Sequence, residues 1–150
     1  MTTQIFDTIL LTGASGRLGT VLRKGLAPLC RVLRVSDVVE VKDLQPNEEA
    51  VICDLGDMGA VLNACSGVDA IVHLCVAPLE RPWEEILNAN IRGSYHIYEG
   101  ARTHGVRRVV YASSVHAIGF HALETHIDAE SAHRPDSLYG LSKCFVEDLG

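Results

Sequence analysis

TILLTGASGRLG, Thr8 to Gly19, decides the fold: a short apolar run enters a glycine turn and leaves it with helical spacing. A backbone that turns sharply and offers amide N–H groups at a helix N-terminus to a pyrophosphate needs residues without Cβ at the approach points. Gly13 and Gly16 supply them, and Gly19 lets the helix pack close to the strand. The spacing is GxxGxxG, one residue wider than the usual dinucleotide fingerprint. A tight strand-to-helix turn without a ligand would use the same residues, but a strand before and a helix after is the context that a phosphate loop requires. Arg17, on the first helical turn, is placed either to touch phosphates or simply to be solvated.

Outward from this loop, short β-branched runs alternate with longer amphipathic ones. Thr8–Thr12, Arg31–Ser36, Ala50–Cys53, Ala70–Leu74 and Arg108–Ala112 read as buried parallel strands. Leu18–Leu29, Gly59–Cys65 and Pro82–His104 read as helices, with Pro82 in the first turn and Gly105 as the stop. Such alternation implies βαβ crossovers and an α/β, doubly wound parallel sheet of Rossmann type. Val38–Glu49 is polar and reads as a surface connection. Ala117–Asp136 has no periodicity and, with His116 beside it, is rich in histidine (His121, His126, His133), as expected of an active-site loop or lid. Leu138, Leu141, Phe145 and Leu149 begin a further helix, after which a doubly wound sheet normally continues. Residues 1–150 are therefore expected to be the N-terminal, dinucleotide-binding part of a longer protein, without its C-terminal substrate-binding part.

The 150 residues are 47% hydrophobic and 21% charged, an ordinary globular composition. Thirteen basic residues against 19 acidic give a formal net charge of -6, which offers no field for nucleic acid or an anionic membrane. No apolar run is long enough to span a bilayer and the N-terminus lacks a signal-peptide pattern, so the expectation is a cytoplasmic protein. Five cysteines without a CxxC indicate neither a disulfide framework nor a metal site. A homo-oligomer is compatible with all of this.

The strand ends carry the next candidates. A carboxylate at the end of the second strand would accept hydrogen bonds from an adenosine ribose, and Asp37 stands there. Its charge would repel a 2′-phosphate and favour NAD over NADP, although an Asp ending a strand also forms simple turns. Asp54 and Leu55, after the third strand, suit an adenine edge and face, and Asp54 equally suits a helix cap. Ser113 and Ser114 close the fifth strand, while Tyr139 and Lys143 share one face of the last helix. An ammonium next to a phenol is expected to lower its pKa and make it a usable base, with a strand-end serine holding the substrate oxygen. An i, i+4 pair is also an ordinary solvated helix face. Only the combination with the glycine loop and the strand-end serines favours chemistry.

At these residues the chain resembles the short-chain dehydrogenase/reductase superfamily, in its extended branch of NAD-dependent epimerase/dehydratase proteins, and within that branch the uronate dehydrogenases. TGASGRLG, Asp37, CDL at 53–55, GVDAIVHL at 67–74, RPWEEILNANIRG, YASSVHAIG and RPDSLYGLSKCFVEDL match in order over nearly the whole chain. The resemblance implies Gly13, Gly16, Arg17 and Leu18 at the pyrophosphate, Asp37 on the ribose, and Asp54 with Leu55 at the adenine. It places Leu74 and Cys75 along the cofactor and Asn90 in support, and it makes Ser114, Tyr139 and Lys143 the catalytic triad, with Ser114 and His116 toward the substrate. The implied reaction is hydride transfer from a sugar acid to NAD, for a pyranose uronate at C1, giving an aldaric acid lactone.

Two positions depart from the family pattern. Where it has glycines followed by a sugar-holding serine, this chain reads Cys75-Val76-Ala77-Pro78, and where it has Asn-His after the catalytic serine, this chain has Val115-His116. Two polar substrate contacts are thereby replaced, which bears on the substrate more than on the redox chemistry. A nucleotide-sugar epimerase or dehydratase, or a dinucleotide-binding module without turnover, are the other readings of the same motifs.

Overall fold

The computed structural model describes residues 4–150. Five strands, β1 (Phe6–Thr12), β2 (Cys30–Asp37), β3 (Glu48–Ile52), β4 (Ala70–His73) and β5 (Val109–Tyr111), form one parallel sheet in the order β3-β2-β1-β4-β5. The order reverses beside β1, whose last residue, Thr12, pairs with Ser36 of β2 on one side and His73 of β4 on the other. Connections leaving in opposite directions open a crevice beyond these carboxyl ends, where doubly wound sheets bind ligands.

The helices are α1 (Arg17–Leu26), α2 (Met58–Cys65), α3 (Trp83–Glu85), α4 (Gly93–His104) and α5 (Leu138–Leu149), with a π-helical segment at Ile86–Arg92 joining α3 to α4. Alternation along β1 divides the core. Leu10 faces a cluster with Val61, Ile71, Ile97 and Ala101 under α2 and α4, whereas Ile9 and Leu11 face one with Leu33 and Val35, packed by Leu26 and Leu29.

Local chemistry sets the boundaries. Pro28 lacks the N–H that would continue an α ladder, and α1 gives way to a 3-10 turn at Ala27–Leu29, short of the α-helical end expected from periodicity. Asp57 caps α2 by accepting from Gly59 N (2.8 Å) and Ala60 N (3.2 Å), so the cap weighed for Asp54 belongs to Asp57. Pro82 lies one position before α3 as its N-cap, and Gly105, left-handed at φ 71°, ends α4 as expected. Not all five strands are buried. The edges are half open, with Ile52 of β3 and Val110 of β5 exposed. Between Ala117 and Asp136 the chain forms no long element, but it is pinned by Phe120 N to Arg134 O and Arg134 N to Ala117 O, each 2.9 Å. All five cysteines are free, and no helix among the described residues is long and apolar enough to cross a membrane.

Candidate active site

The glycine loop is built against the end of β4. Gly13 has φ 71°, and a Cβ there would come 2.9 Å from Cys75 N. A Cβ on Gly19 would come 2.2 Å from Gly13 O. Any side chain at either position would push helix, loop and strand apart. Gly16 is the N-cap of α1, no side chain caps this helix end and no acidic residue stands in its first turn, so the amides of Arg17, Leu18 and Gly19 are open to a ligand. The loop's own geometry is held by Ala14 N to Ser36 O (3.1 Å) and by Ser15 N to Asp37 Oδ2 (2.9 Å).

Asp37 thus has one oxygen on Ser15 and the other on Val38 N (2.8 Å), with lone pairs remaining on both. Arg34, close by in sequence, is turned away from this carboxylate. Its guanidinium binds Ala64 O and Ser66 O (2.7 Å each) and pairs with Glu49, so it offers nothing to a 2′-phosphate. Asp54 is exposed, with Oδ1 accepting from Gly56 N (2.8 Å). Leu55 is not presented to a ring as sequence reasoning expected: its side chain is buried in the core and its carbonyl is engaged by His96 Nδ1 (2.6 Å).

A groove of about 290 Å³ runs from this loop to α5. It brings together Gly13, Gly16, Arg17, Leu18 and Gly19 with Leu74, Val76 and Pro78 beyond β4, Ala112 and Ser113 beyond β5, and Tyr139 and Lys143 of α5. Ser114 borders a second groove, which shares Ser113 with the first, and its side chain lies near enough to the Tyr139 phenol to pull the phenol's pKa down. Cys75 is mostly buried behind the loop, and burial pushes its thiol up to about 12, so it packs as a neutral side chain.

Lys143 is 2% exposed, donates from Nζ to Ala112 O (2.6 Å), and lies over the rings of Tyr111 (4.6 Å) and Tyr139 (5.4 Å). Desolvation lowers its pKa to about 8 against a weaker opposing pull from Glu147. The expected lowering of the Tyr139 pKa by this ammonium is not realised. Burial raises the phenol, only Ser114 pulls it down, and Lys143 faces the ring with its nearest bond made to a carbonyl.

Asn90 does not line the groove. Fully buried in the π-helical segment, it accepts from Ala77 N (2.7 Å) and donates to Ala77 O (3.2 Å) and Ser142 Oγ (3.0 Å). Ser142 in turn donates to Tyr139 O (2.7 Å). Asn90 therefore ties the Val76–Pro78 wall to the helix that carries Tyr139, a positioning part and not a cofactor contact. The extra residue of the π turn brings it inward. Glu80 reinforces the link by accepting from Tyr139 N (3.1 Å).

His73 was not legible as a site residue because it completes an apolar strand. Thr12 Oγ1 accepts from Leu74 N (3.2 Å) and Cys75 N (3.3 Å), so its own proton goes to His73 Nδ1 (2.8 Å), and Nε2 is left to donate to Ser94 Oγ (3.1 Å). Burial, with repulsion from Lys143, lowers its pKa to about 3. A neutral imidazole thus fixes the floor of the crevice.

A parallel sheet that reverses order beside a glycine loop, with a groove ending on a tyrosine and a buried lysine, defines an α/β domain of Rossmann type. The chain belongs to the 3-beta hydroxysteroid dehydrogenase/isomerase family, whose model matches residues 10–149, within the extended short-chain dehydrogenase/reductases. It is 53% identical over 145 residues to a uronate dehydrogenase of Pseudomonas syringae pv. tomato, covering 96% of this chain and 53% of the relative. Among solved structures it superposes on a glucuronic acid dehydrogenase of Chromohalobacter salexigens with TM-score 0.93 at 48% identity, covering 96% of this chain and 54% of that one. It matches a mutant uronate dehydrogenase of Agrobacterium tumefaciens complexed with NAD with TM-score 0.92 at 46% identity, covering 95% and 54%. The chain spans about half the length of these relatives.

Proposed function

We propose that this chain is the dinucleotide-binding part of an NAD-dependent dehydrogenase that oxidises a sugar acid of the uronate type. One observation carries the reading: the glycine loop, Tyr139 and Lys143 line one groove. The residues present suit the dinucleotide. Gly13 and Gly19 leave a cradle that a Cβ would fill, α1 offers uncapped amides for the pyrophosphate, and Asp37 has lone pairs for ribose hydroxyls. When bound, NAD supplies a hydride-accepting ring.

Around it, Ser114 holds the substrate oxygen next to the phenol and Tyr139 takes the hydroxyl proton as hydride leaves. Lys143, charged below about pH 8 and fixed on Ala112 O beneath the phenol ring, keeps further N–H donors that would hold the nicotinamide ribose. Asn90 and Glu80 hold the helix that aims the phenol. The wall toward the substrate is apolar: Val76 and Pro78 line the groove, and Val115, next to Ser114, is 75% exposed. We therefore assign a sugar acid whose hydroxyls are read elsewhere than at these two positions.

The test is NAD reduction across a panel of uronates and aldoses, read by absorbance. Tyr139→Phe is expected to cut kcat by at least about a thousandfold while leaving NAD affinity within about twofold. A Phe variant that turns over normally removes Tyr139 from this role. NAD binding with no reduction on any substrate favours a binding module.

A further inference from the structure

Resting on the reading above, we propose that Asp136 is a positioning residue: it holds His116 in the Nδ1–H tautomer, so that Nε2 is presented as an acceptor to a substrate hydroxyl next to the reacting carbon. His116 Nδ1 lies 2.8 Å and 3.0 Å from the two carboxylate oxygens of Asp136. His116 and Ser137 hold that carboxyl below the usual carboxylate range, so at neutral pH it accepts only and the proton between them sits on Nδ1. No hydrogen bond to Nε2 is present among the described residues, and the ring meets Tyr139 edge to face at 5.6 Å.

The same carboxylate joins the two elements that carry the chemistry. Ser137 Oγ donates to Asp136 Oδ1 (2.8 Å) and accepts from Gly140 N (3.0 Å) at the start of α5, while Asp136 N donates to His116 O (3.2 Å). On the other side Ser114 Oγ accepts from His116 N (3.2 Å). Asp136 thereby fixes His116 in rotation as well as in tautomer, between Ser114 and Tyr139. A histidine without such a partner exchanges tautomers and loses half of this acceptor geometry.

Two measurements separate this from the proposed reaction. Long-range ¹H–¹⁵N correlation at pH 8 is expected to show His116 as Nδ1–H in the native chain and shifted toward Nε2–H in Asp136→Ala, with Asp136→Asn as the variant that preserves shape. Native His116 as Nε2–H, or an unchanged tautomer in both variants, overturns the inference. In the uronate assay Asp136→Ala is expected to lower kcat/KM about tenfold, mainly through KM, with NAD affinity unchanged. In a His116→Ala background the same substitution is expected to add nothing, and a full additive loss overturns the inference. Absence of NAD reduction with every substrate overturns the reaction and with it the substrate role of His116. Turnover with the wrong tautomer overturns the role of Asp136 alone.

Discussion

Lys143→Met is expected to make the protein more stable at neutral pH and inactive. The ammonium is 2% exposed, and its pKa falls from 10.5 to about 8 through desolvation. Because the folded value lies below the unfolded one, the unfolded chain binds the proton more readily, and charging the lysine works against folding. Below about pH 8 this costs roughly 3 kcal/mol, at 1.36 kcal/mol per pKa unit. The cost shrinks between pH 8 and 10.5 and vanishes above. Methionine keeps the packed stem but loses the Nζ bond to Ala112 O, worth about 1 kcal/mol, so a net gain of about 2 kcal/mol remains at pH 7. Urea unfolding at pH 7 and pH 10 measures both ends. The native chain is expected to gain stability relative to the variant as pH rises, and NAD reduction by the variant to be lost. A variant less stable than the native chain at pH 7, or a difference independent of pH, refutes burial as the origin of the shift.

Gly19→Ala, whose Cβ would meet Gly13 O at 2.2 Å, is expected to cost more than about 2 kcal/mol in urea unfolding and to abolish NAD binding measured by calorimetry. Asp37→Ser is expected to weaken NAD about tenfold and to narrow the gap to NADP, read as the ratio of the two dissociation constants. Stability is expected to fall as pH drops from 6.5 toward 3, because neutral His73 is buried and its folded pKa is depressed to about 3. In acid titration His73→Asn should flatten that limb, whatever it costs at neutral pH.

How far the sequence could be read depended on whether a residue's meaning is local. The glycine loop, the Gly105 stop and the shared helical face of Tyr139 and Lys143 follow from backbone sterics and helical period, and each is found where expected. The parallel sheet followed from alternation, but its edges did not, because β3 and β5 carry the same β-branched residues as buried strands. What escaped depends on contacts distant in sequence. Asn90 meets Ser142, His73 meets Thr12, and Arg34 is drawn away to the end of α2. The phenol's pKa was misjudged for the same reason: spacing gives neighbours on a helix, not how deeply α5 is buried or which carbonyl takes the lysine.

The π turn at Ile86–Arg92 makes this domain sensitive to chain length at a point remote from any reacting atom. Deleting one residue there would restore better backbone geometry, yet it would swing Asn90 by about a hundred degrees and release both the Ala77 wall and Ser142. A more regular helix would therefore leave the tyrosine aimed by nothing on that side, so the irregularity is a feature that selection for catalysis would retain and selection for folding alone would erase.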